Sequence, residues 1–266
     1  MSKKNEKYGN WAMVTGASSG IGLAFCKQLA EKGYNLVMVA RSVEKMEKEA
    51  SELMGKYKVD TKVIGVDLSD AKALSPLEHV FTQLNIALLV NNAGWGQPGV
   101  FKKHTLDNCL RETQLNINTP LTLTKWFIDN NSERKGLIFL SSIAAYMGSP
   151  YLANYSACKA WTLNFGVSLY HELKEEGSDV LVLAPGPTKT GMFGIDNIDF
   201  SKIPMHWMKA EDVAKLAIKN LGKKPVTVPG LINKIMKFMM AKIMPRSFAQ
   251  KMFGSMMKPA MPNSIL

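Results

Sequence analysis

"TGASSGIG", Thr15 to Gly22, follows the apolar run "WAMV" and leads into the amphipathic stretch "LAFCKQLAEKG". Three glycines, at 16, 20 and 22, stand where a strand turns into a helix. Glycine permits the tight turn and lets backbone come close to a pyrophosphate, whose charge a helix N-terminus favours. A strand, a glycine turn and a helix at the start of a chain form the first unit of a dinucleotide-binding α/β sheet. The spacing is TGxxxGxG, not the commoner GxGxxG.

The remainder repeats this rhythm. "NLVMVA", "KVIGVD", "IALLVNN", "GLIFLSS", "VLVLAPG" and "VTVPG" read as strands. Most are continuously apolar, as strands buried on both faces are. Helical patterns lie near 20–32, 43–56, 71–84, 105–130, 153–176 and 210–221. Regular alternation implies α/β architecture: a single Rossmann-like, doubly wound parallel sheet of about seven strands. The expected layout is one domain over 1–230, with residues 231–266 as its C-terminal amphipathic helical extension.

The 266 residues suffice for a substantial core, and 46% hydrophobic with 21% charged content is globular. Cys26, Cys109 and Cys158 are odd in number and widely spaced, which argues against a disulfide framework and for a reducing cytoplasm. "MSKKNEKYGN" lacks the apolar core of a secretory signal, and no apolar run is long enough to span a membrane. The four histidines show no metal-ligand spacing, so no metal is expected. The net charge of +11 sits mostly in residues 201–266, which hold 12 of the 33 basic residues and only Glu211 and Asp212 of the 22 acidic ones. No nucleic-acid reading motif accompanies that charge, so no nucleic-acid partner is expected.

Three further stretches narrow the reading: "NNAG" at 91–94, "SSIAAYMGSPYLANYSACK" at 141–159 and "PGPTKT" at 185–190. Tyr155 and Lys159, four apart, share one helix face. A nearby ammonium favours a phenolate and brings a phenol with an ordinary pKa of about 10 nearer working range. Ser142, at the end of "GLIFLSS", is placed to hydrogen-bond a substrate oxygen beside the tyrosine, with Ser141 as the neighbouring alternative.

With the glycine loop, these motifs resemble the short-chain dehydrogenase/reductase family over roughly residues 8–230. "KYGNWAMVTGASSGIG" is most similar to the 3-ketoacyl reductase and 17β-hydroxysteroid dehydrogenase branch. The resemblance implies hydride transfer with NAD or NADP, with Tyr155 as acid in reduction and base in oxidation. Lys159 then also holds the nicotinamide ribose, and Asn116 supports a proton-relay water, with Asn118 as its neighbouring alternative. It further implies cofactor contacts from Gly16, Ser18, Ser19, Gly20, Ile21 and Gly22 of the loop, and from Asp67, Asn91, Ala93 and Gly94 at later strand ends. Pro185, Gly186, Thr188 and Thr190 then face the nicotinamide and phosphates. "VMVARS" ends its strand without an acidic residue. Arg41 there offers a bidentate contact to a 2′-phosphate, and Ser42 adds a hydrogen bond, so NADP(H) is the expected cofactor.

Trp95, Phe101, Tyr146, Met147, Tyr151, Met192, Phe193, Met205 and Trp207 are expected pocket liners, suited to a lipophilic carbonyl such as a 3-oxoacyl or steroid-like substrate. A non-catalytic NADPH-binding sensor is the competing class. A homodimer or homotetramer is expected. From Leu231 to Met244, Lys234, Lys237 and Lys242 cluster on one arc and leave a broad apolar face. Pro245 ends that helix, and a second is expected over Ser247 to Phe253. The apolar face is expected to pack on its own domain or a partner subunit, covering the active-site mouth or an interface, or to touch lipid as a peripheral membrane contact.

Overall fold

The computed structural model describes residues 10–130, 135–190, 198–199, 202–203 and 207–266. Seven strands are present: β1 Trp11–Thr15, β2 Asn35–Ala40, β3 Thr61–Gly65, β4 Ile86–Asn91, β5 Gly136–Leu140, β6 Asp179–Leu183 and β7 Val226–Thr227. They form one sheet in the order β3-β2-β1-β4-β5-β6-β7, every pairing parallel. The expected doubly wound sheet is therefore the observed one.

Strand side chains alternate between two buried faces, which is why these runs are continuously apolar. Val14, Met38, Val90, Leu140 and Leu183 pack under α1 (Gly20–Glu31), α2 (Val43–Tyr57) and α7 (Ala210–Asn220). Met13, Val39, Leu89, Phe139 and Val182 pack under α3 (Ser75–Gln83), α5 (Thr119–Asp129) and α6 (Ala153–Glu172). Phe25, Phe127 and Phe139 are fully buried, each worth roughly 1.5–3 kcal/mol over leaving it in water.

The helical pattern at 105–130 resolves into three pieces. These are α4 (Leu106–Thr113), a wider π-helical turn over Gln114–Asn118, and α5. Thr105 caps α4 by accepting from the Asn108 N–H at 3.2 Å.

The tail is helical, as expected, but of the surfaces it could pack on, its own domain does not receive the apolar face of its first helix. It comprises α8 (Leu231–Phe238), a π-helical turn over Met239–Ile243, and α9 (Arg246–Met257) after Pro245. The apolar face of α8 is not packed on the domain. Leu231, Ile232, Ile235 and Phe238 are exposed, whereas Asn233 is buried. Asn233 donates to the Pro229 carbonyl at 2.9 Å, and its side chain occupies the space where a Cβ on Gly186 would lie. A polar anchor thus fixes α8 and turns its apolar arc outward. α9 and the following residues do pack inward: Met257, Ala260 and Met261 join Leu152, Tyr155, Ile198 and Ile203 in a third apolar cluster. The Val100 N–H donates to the Ile265 carbonyl at 2.9 Å and ties the last residues to the loop after β4.

Candidate active site

The strand order reverses direction at β1, with β2 on one side and β4 on the other. In open α/β sheets the crevice outside the strand ends at such a point takes the ligand. Here a cleft of about 410 Å³ opens there. Its walls include Gly16, Ser18, Ser19, Gly20 and Ile21 of the glycine loop, Arg41 and Ser42 after β2, and Asp67 after β3. Ala93, Gly94 and Thr190 of the expected group also line it, whereas Gly22 packs against Gly16 within the turn.

The glycine loop is packed too tightly for side chains. A Cβ on Gly22 would lie 2.1 Å from the Gly16 carbonyl oxygen, and Gly16 itself has φ +67°. α1 begins at Ser19 without a side-chain cap and without an acidic residue in its first turn. Its N–H groups and positive dipole end therefore face the cleft unneutralised, which suits a pyrophosphate. Arg41 brings a cation to the far end. These donors fit a nicotinamide dinucleotide.

Arg111 of α4 was not anticipated. It reaches across to Asp67 at 2.9 Å and to the Ser69 hydroxyl at 3.1 Å, and lines the cleft with Asn108. Asp67 also accepts from the Ser69 hydroxyl at 2.7 Å. Burial opposes ionisation of Asp67, but the Ser69 bonds and the Arg111 and Arg41 charges outweigh it and hold the carboxyl below its usual range. No motif marks Arg111; only the packing of α4 beside the β3 loop brings it there.

Asn91 requires a correction. Its side chain turns away from the cleft and donates to Thr124 Oγ1 at 3.1 Å. Its neighbour Asn92 faces the cleft and donates to the Thr15 carbonyl at 2.8 Å, bracing the glycine turn. Period-two alternation along β4 gives adjacent residues opposite faces.

A second cavity, of about 420 Å³, adjoins the first, and the two share Ile21, Asn92, Leu140 and Thr190. Ser142, Tyr155 and Lys159 converge in it, along with Pro185, Gly186 and Thr188. Tyr155 and Lys159 are both buried on α6, and Lys159 Nζ lies 5.6 Å from the centre of the tyrosine ring. Lys159 donates to the Leu140 carbonyl at 3.0 Å. The Ser142 hydroxyl accepts from the Ala144 N–H at 3.1 Å and hydrogen-bonds the Tyr155 phenol. Ser141 instead donates to the Lys159 carbonyl at 2.7 Å, a structural role that leaves Ser142 as the serine at the phenol.

Asn116 is buried within the π-helical turn. It donates to the Trp95 carbonyl at 2.7 Å and to the Glu112 carbonyl at 2.9 Å. A Cβ on Gly94 would sit 3.0 Å from both Asn116 Oδ1 and Lys159 Nζ, so these two atoms flank one small space. Asn118, by contrast, is turned outward and donates to Gln114 at 3.0 Å.

Burial dominates the electrostatics. It lowers Lys159 to about 8 and raises Tyr155 above its ordinary value. The Ser142 hydrogen bond pulls the phenol back only in part, and the Glu112 carboxyl pushes it further up. The expected lowering of the phenol by Lys159 is thus overridden by desolvation, and the phenol stays protonated and able to donate. Burial also raises the Cys158 thiol to about 11, so it packs as a neutral group.

The expected substrate liners fare less well. Trp207 lines the second cavity, whereas Trp95 lines the first. Tyr146 lies outside the second cavity's lining, with Lys237 Nζ 5.1 Å from its ring centre. Tyr151 is held at φ +66° and packs in the third apolar cluster, also away from the cavity lining. Phe101 is exposed. Met192, Phe193 and Met205 lie outside the described residues. The apolar wall comes instead from Ile143, Ala144, Leu152 and Ile198, with Phe253 and Met257 of α9. Among the described residues no group of three or more His, Cys, Asp or Glu side chains is placed to hold a metal ion.

Residues 10–198 match the family described as short chain dehydrogenase. The chain belongs to that family. Among its short-chain dehydrogenase relatives, a Gallus gallus protein named hydroxysteroid dehydrogenase-like protein 1 is 31% identical, over 90% of this chain and 73% of its own length. The very-long-chain 3-oxoacyl-CoA reductase of Mus musculus is 31% identical, over 90% of this chain and 77% of its length. These relatives place the chain with the 3-ketoacyl reductase and hydroxysteroid dehydrogenase branch. A Homo sapiens relative is named inactive hydroxysteroid dehydrogenase-like protein 1; it is 30% identical over 72% of this chain and 60% of its own. The chain spans only 55% of a Debaryomyces hansenii very-long-chain 3-oxoacyl-CoA reductase. Among solved structures, a 7β-hydroxysteroid dehydrogenase superposes with TM-score 0.86 at 26% identity, over 94% of this chain and 99% of the other. A short-chain dehydrogenase from Sphingobium yanoikuyae in complex with NADPH gives 0.79 at 25% identity, over 88% and 96%.

Proposed function

We propose that this short-chain dehydrogenase is an NADP(H)-dependent reductase of a lipophilic ketone or aldehyde, of the 3-oxoacyl or steroid-like kind. One observation carries the reading: Ser142, Tyr155 and Lys159 converge in a largely apolar cavity that opens into the glycine-loop cleft. NADPH supplies hydride when bound. The Tyr155 hydroxyl gives its proton to the carbonyl oxygen, and the Ser142 hydroxyl hydrogen-bonds the same oxygen as negative charge develops there. Lys159 steadies the phenolate left behind, and Asn116, beside the lysine amine, holds the path by which that proton is replaced. In the reverse direction the same groups accept the proton.

Arg41 at the end of β2, with no acidic residue beside it, supports the phosphorylated cofactor. The apolar wall of Leu152, Ile198, Phe253 and Met257 supports a lipophilic substrate. Exposed Leu106 and Leu110 of α4 and Leu121 of α5 support a homo-oligomer built on those helices. A cytoplasmic chain whose tail makes peripheral contact with a membrane surface completes the reading. Among the described residues no helix is long and apolar enough to cross a membrane.

The test is NADPH consumption against a panel of ketones and 3-oxoacyl thioesters. Turnover that vanishes in Tyr155→Phe, with cofactor binding retained, is the expected result. The relative named inactive favours a second reading, a chain that binds NADPH without turnover. Tight NADPH binding with no consumption on any of these substrates would select it.

A further inference from the structure

Eight of the fourteen exposed large hydrophobic residues among those described lie between Leu231 and Met252. Leu231, Ile235 and Phe238 are 72%, 54% and 55% exposed, and Ile232, Ile243 and Phe248 exceed half. At about 100° per residue, the first four α8 residues of this set fall within an arc of roughly 120°. Asn233, the anchored residue, is on the opposite side of the helix. The apolar arc therefore faces directly away from the protein. A helix that merely packed would show the reverse.

Charge identifies the occupant. Lys234, Lys242, Arg246 and Lys251 are exposed on the segment that carries this face, and no acidic residue follows Asp212 anywhere in the chain. A two-fold contact between two copies through this face would set two unrelieved positive surfaces against each other. An anionic lipid surface satisfies both features: its headgroups pair with the lysines while the apolar arc enters the acyl boundary. Since no described helix is long enough to span, the mode is interfacial.

We infer that α8 and the start of α9 form an interfacial docking face for an anionic bilayer, with Leu231, Ile232, Ile235, Phe238, Ile243 and Phe248 entering the lipid. This gives the tail's membrane contact its chemistry and residues, and it rests on that part of the proposed function. α9 turns Phe253 and Met257 into the catalytic cavity from the same short segment. Docking therefore holds at the lipid surface the same segment that builds one wall of the cavity.

The experiment is flotation of the full-length protein with equimolar phosphatidylcholine–phosphatidylserine vesicles and with pure phosphatidylcholine vesicles. Strong binding to the first, weak binding to the second and release by high salt are expected. Ile235→Asp with Phe238→Asp, and separately Lys234→Glu with Lys242→Glu, should each lower partitioning at least about tenfold. All four side chains are exposed, so circular dichroism should be unchanged. Phe238→Trp should gain fluorescence quenching by brominated lipid relative to the wild type. Wild-type protein that stays with the aqueous fraction overturns the inference. So does binding that survives both double variants, or a loss of self-association in those variants with vesicles ignored throughout. Reduction of a water-soluble ketone by the double variants should match wild type. That separates the two readings: absent turnover counts against the proposed reaction, absent flotation against the docking face.

Discussion

Glu112 is wholly out of solvent on α4, one turn before Asn116. No hydrogen bond of good geometry reaches either of its carboxylate oxygens among the described residues. Burial raises its pKa from 4.5 to about 6, and nearby Asn154, the Gln97 backbone and the Lys159 charge offset only part of the penalty. At about 1.36 kcal/mol per pH unit, that rise costs the folded state ~2 kcal/mol once the carboxyl ionises. The folded pKa lies above the unfolded one, so the favourable contribution is complete below about pH 4.5 and lost as pH rises through about 6. Glu112→Gln keeps the shape and removes the ionisation. Any packing or amide cost of glutamine is common to all pH values and cancels in a comparison across pH. Relative to wild type, the variant should gain ~2 kcal/mol between pH 4.5 and pH 8, or about 4–8 °C in Tm for a chain of this size. Thermal unfolding of both cofactor-free proteins at the two pH values measures it. A stability difference between the two proteins that is the same at both pH values would refute the idea that Glu112 is held above its ordinary pKa.

Tyr155→Phe should leave NADPH affinity near normal and lower kcat by about 10²- to 10⁴-fold, measured by cofactor titration and steady-state rates. Arg41→Ala should erase an NADPH over NADH preference of roughly ten- to over a hundredfold in kcat/KM, the worth of one charge-assisted contact. Phe253→Ala should raise KM about tenfold for a bulky apolar ketone and much less for a small one, since it strips one wall from the cavity. Gly186→Ala would put a Cβ 2.3 Å from Asn233 Oδ1 and should cost ~2 kcal/mol in urea unfolding; adding Asn233→Ala should recover part of it.

The sheet was legible because the inner strands β1, β2, β4, β5 and β6 are buried on both faces and write largely apolar runs, and only the edge strands β3 and β7 depart from this. The glycine loop and the Ser142–Tyr155–Lys159 group were legible because the spacing is short: one turn for the loop, one helix face for Tyr155 and Lys159, and the end of the preceding strand for Ser142. Legibility failed where position depends on packing between distant segments. Arg111 reaches the cleft only through α4's placement beside the β3 loop. The second cavity owes part of its wall to Phe253 and Met257, about a hundred positions from Tyr155, while aromatic content near the Tyr155 motif pointed to Tyr146 and Tyr151 instead. In α8 the hydrophobic pattern identified the helix and its apolar arc correctly. One buried asparagine, wedged against Gly186, decided which way the arc faces. The outward amide of Asn118 and the inward one of Asn116 were separable only once the π-helical turn was seen.

The cavity wall contributed by the last segment has a practical meaning for protein engineering. The sheet is complete at β7, and the tail is tied to the body by a few short links: Asn233 at Pro229, the Ala260 carbonyl at the Asp199 N–H, and the Ile265 carbonyl at Val100. The proton-handling groups lie on elements laid down before it. Met257, Ala260 and Met261 also pack against Tyr155, so side chains exchanged at Phe253 and Met257 within this tail should reshape the substrate range, whereas removal of the whole tail would unpack the tyrosine as well.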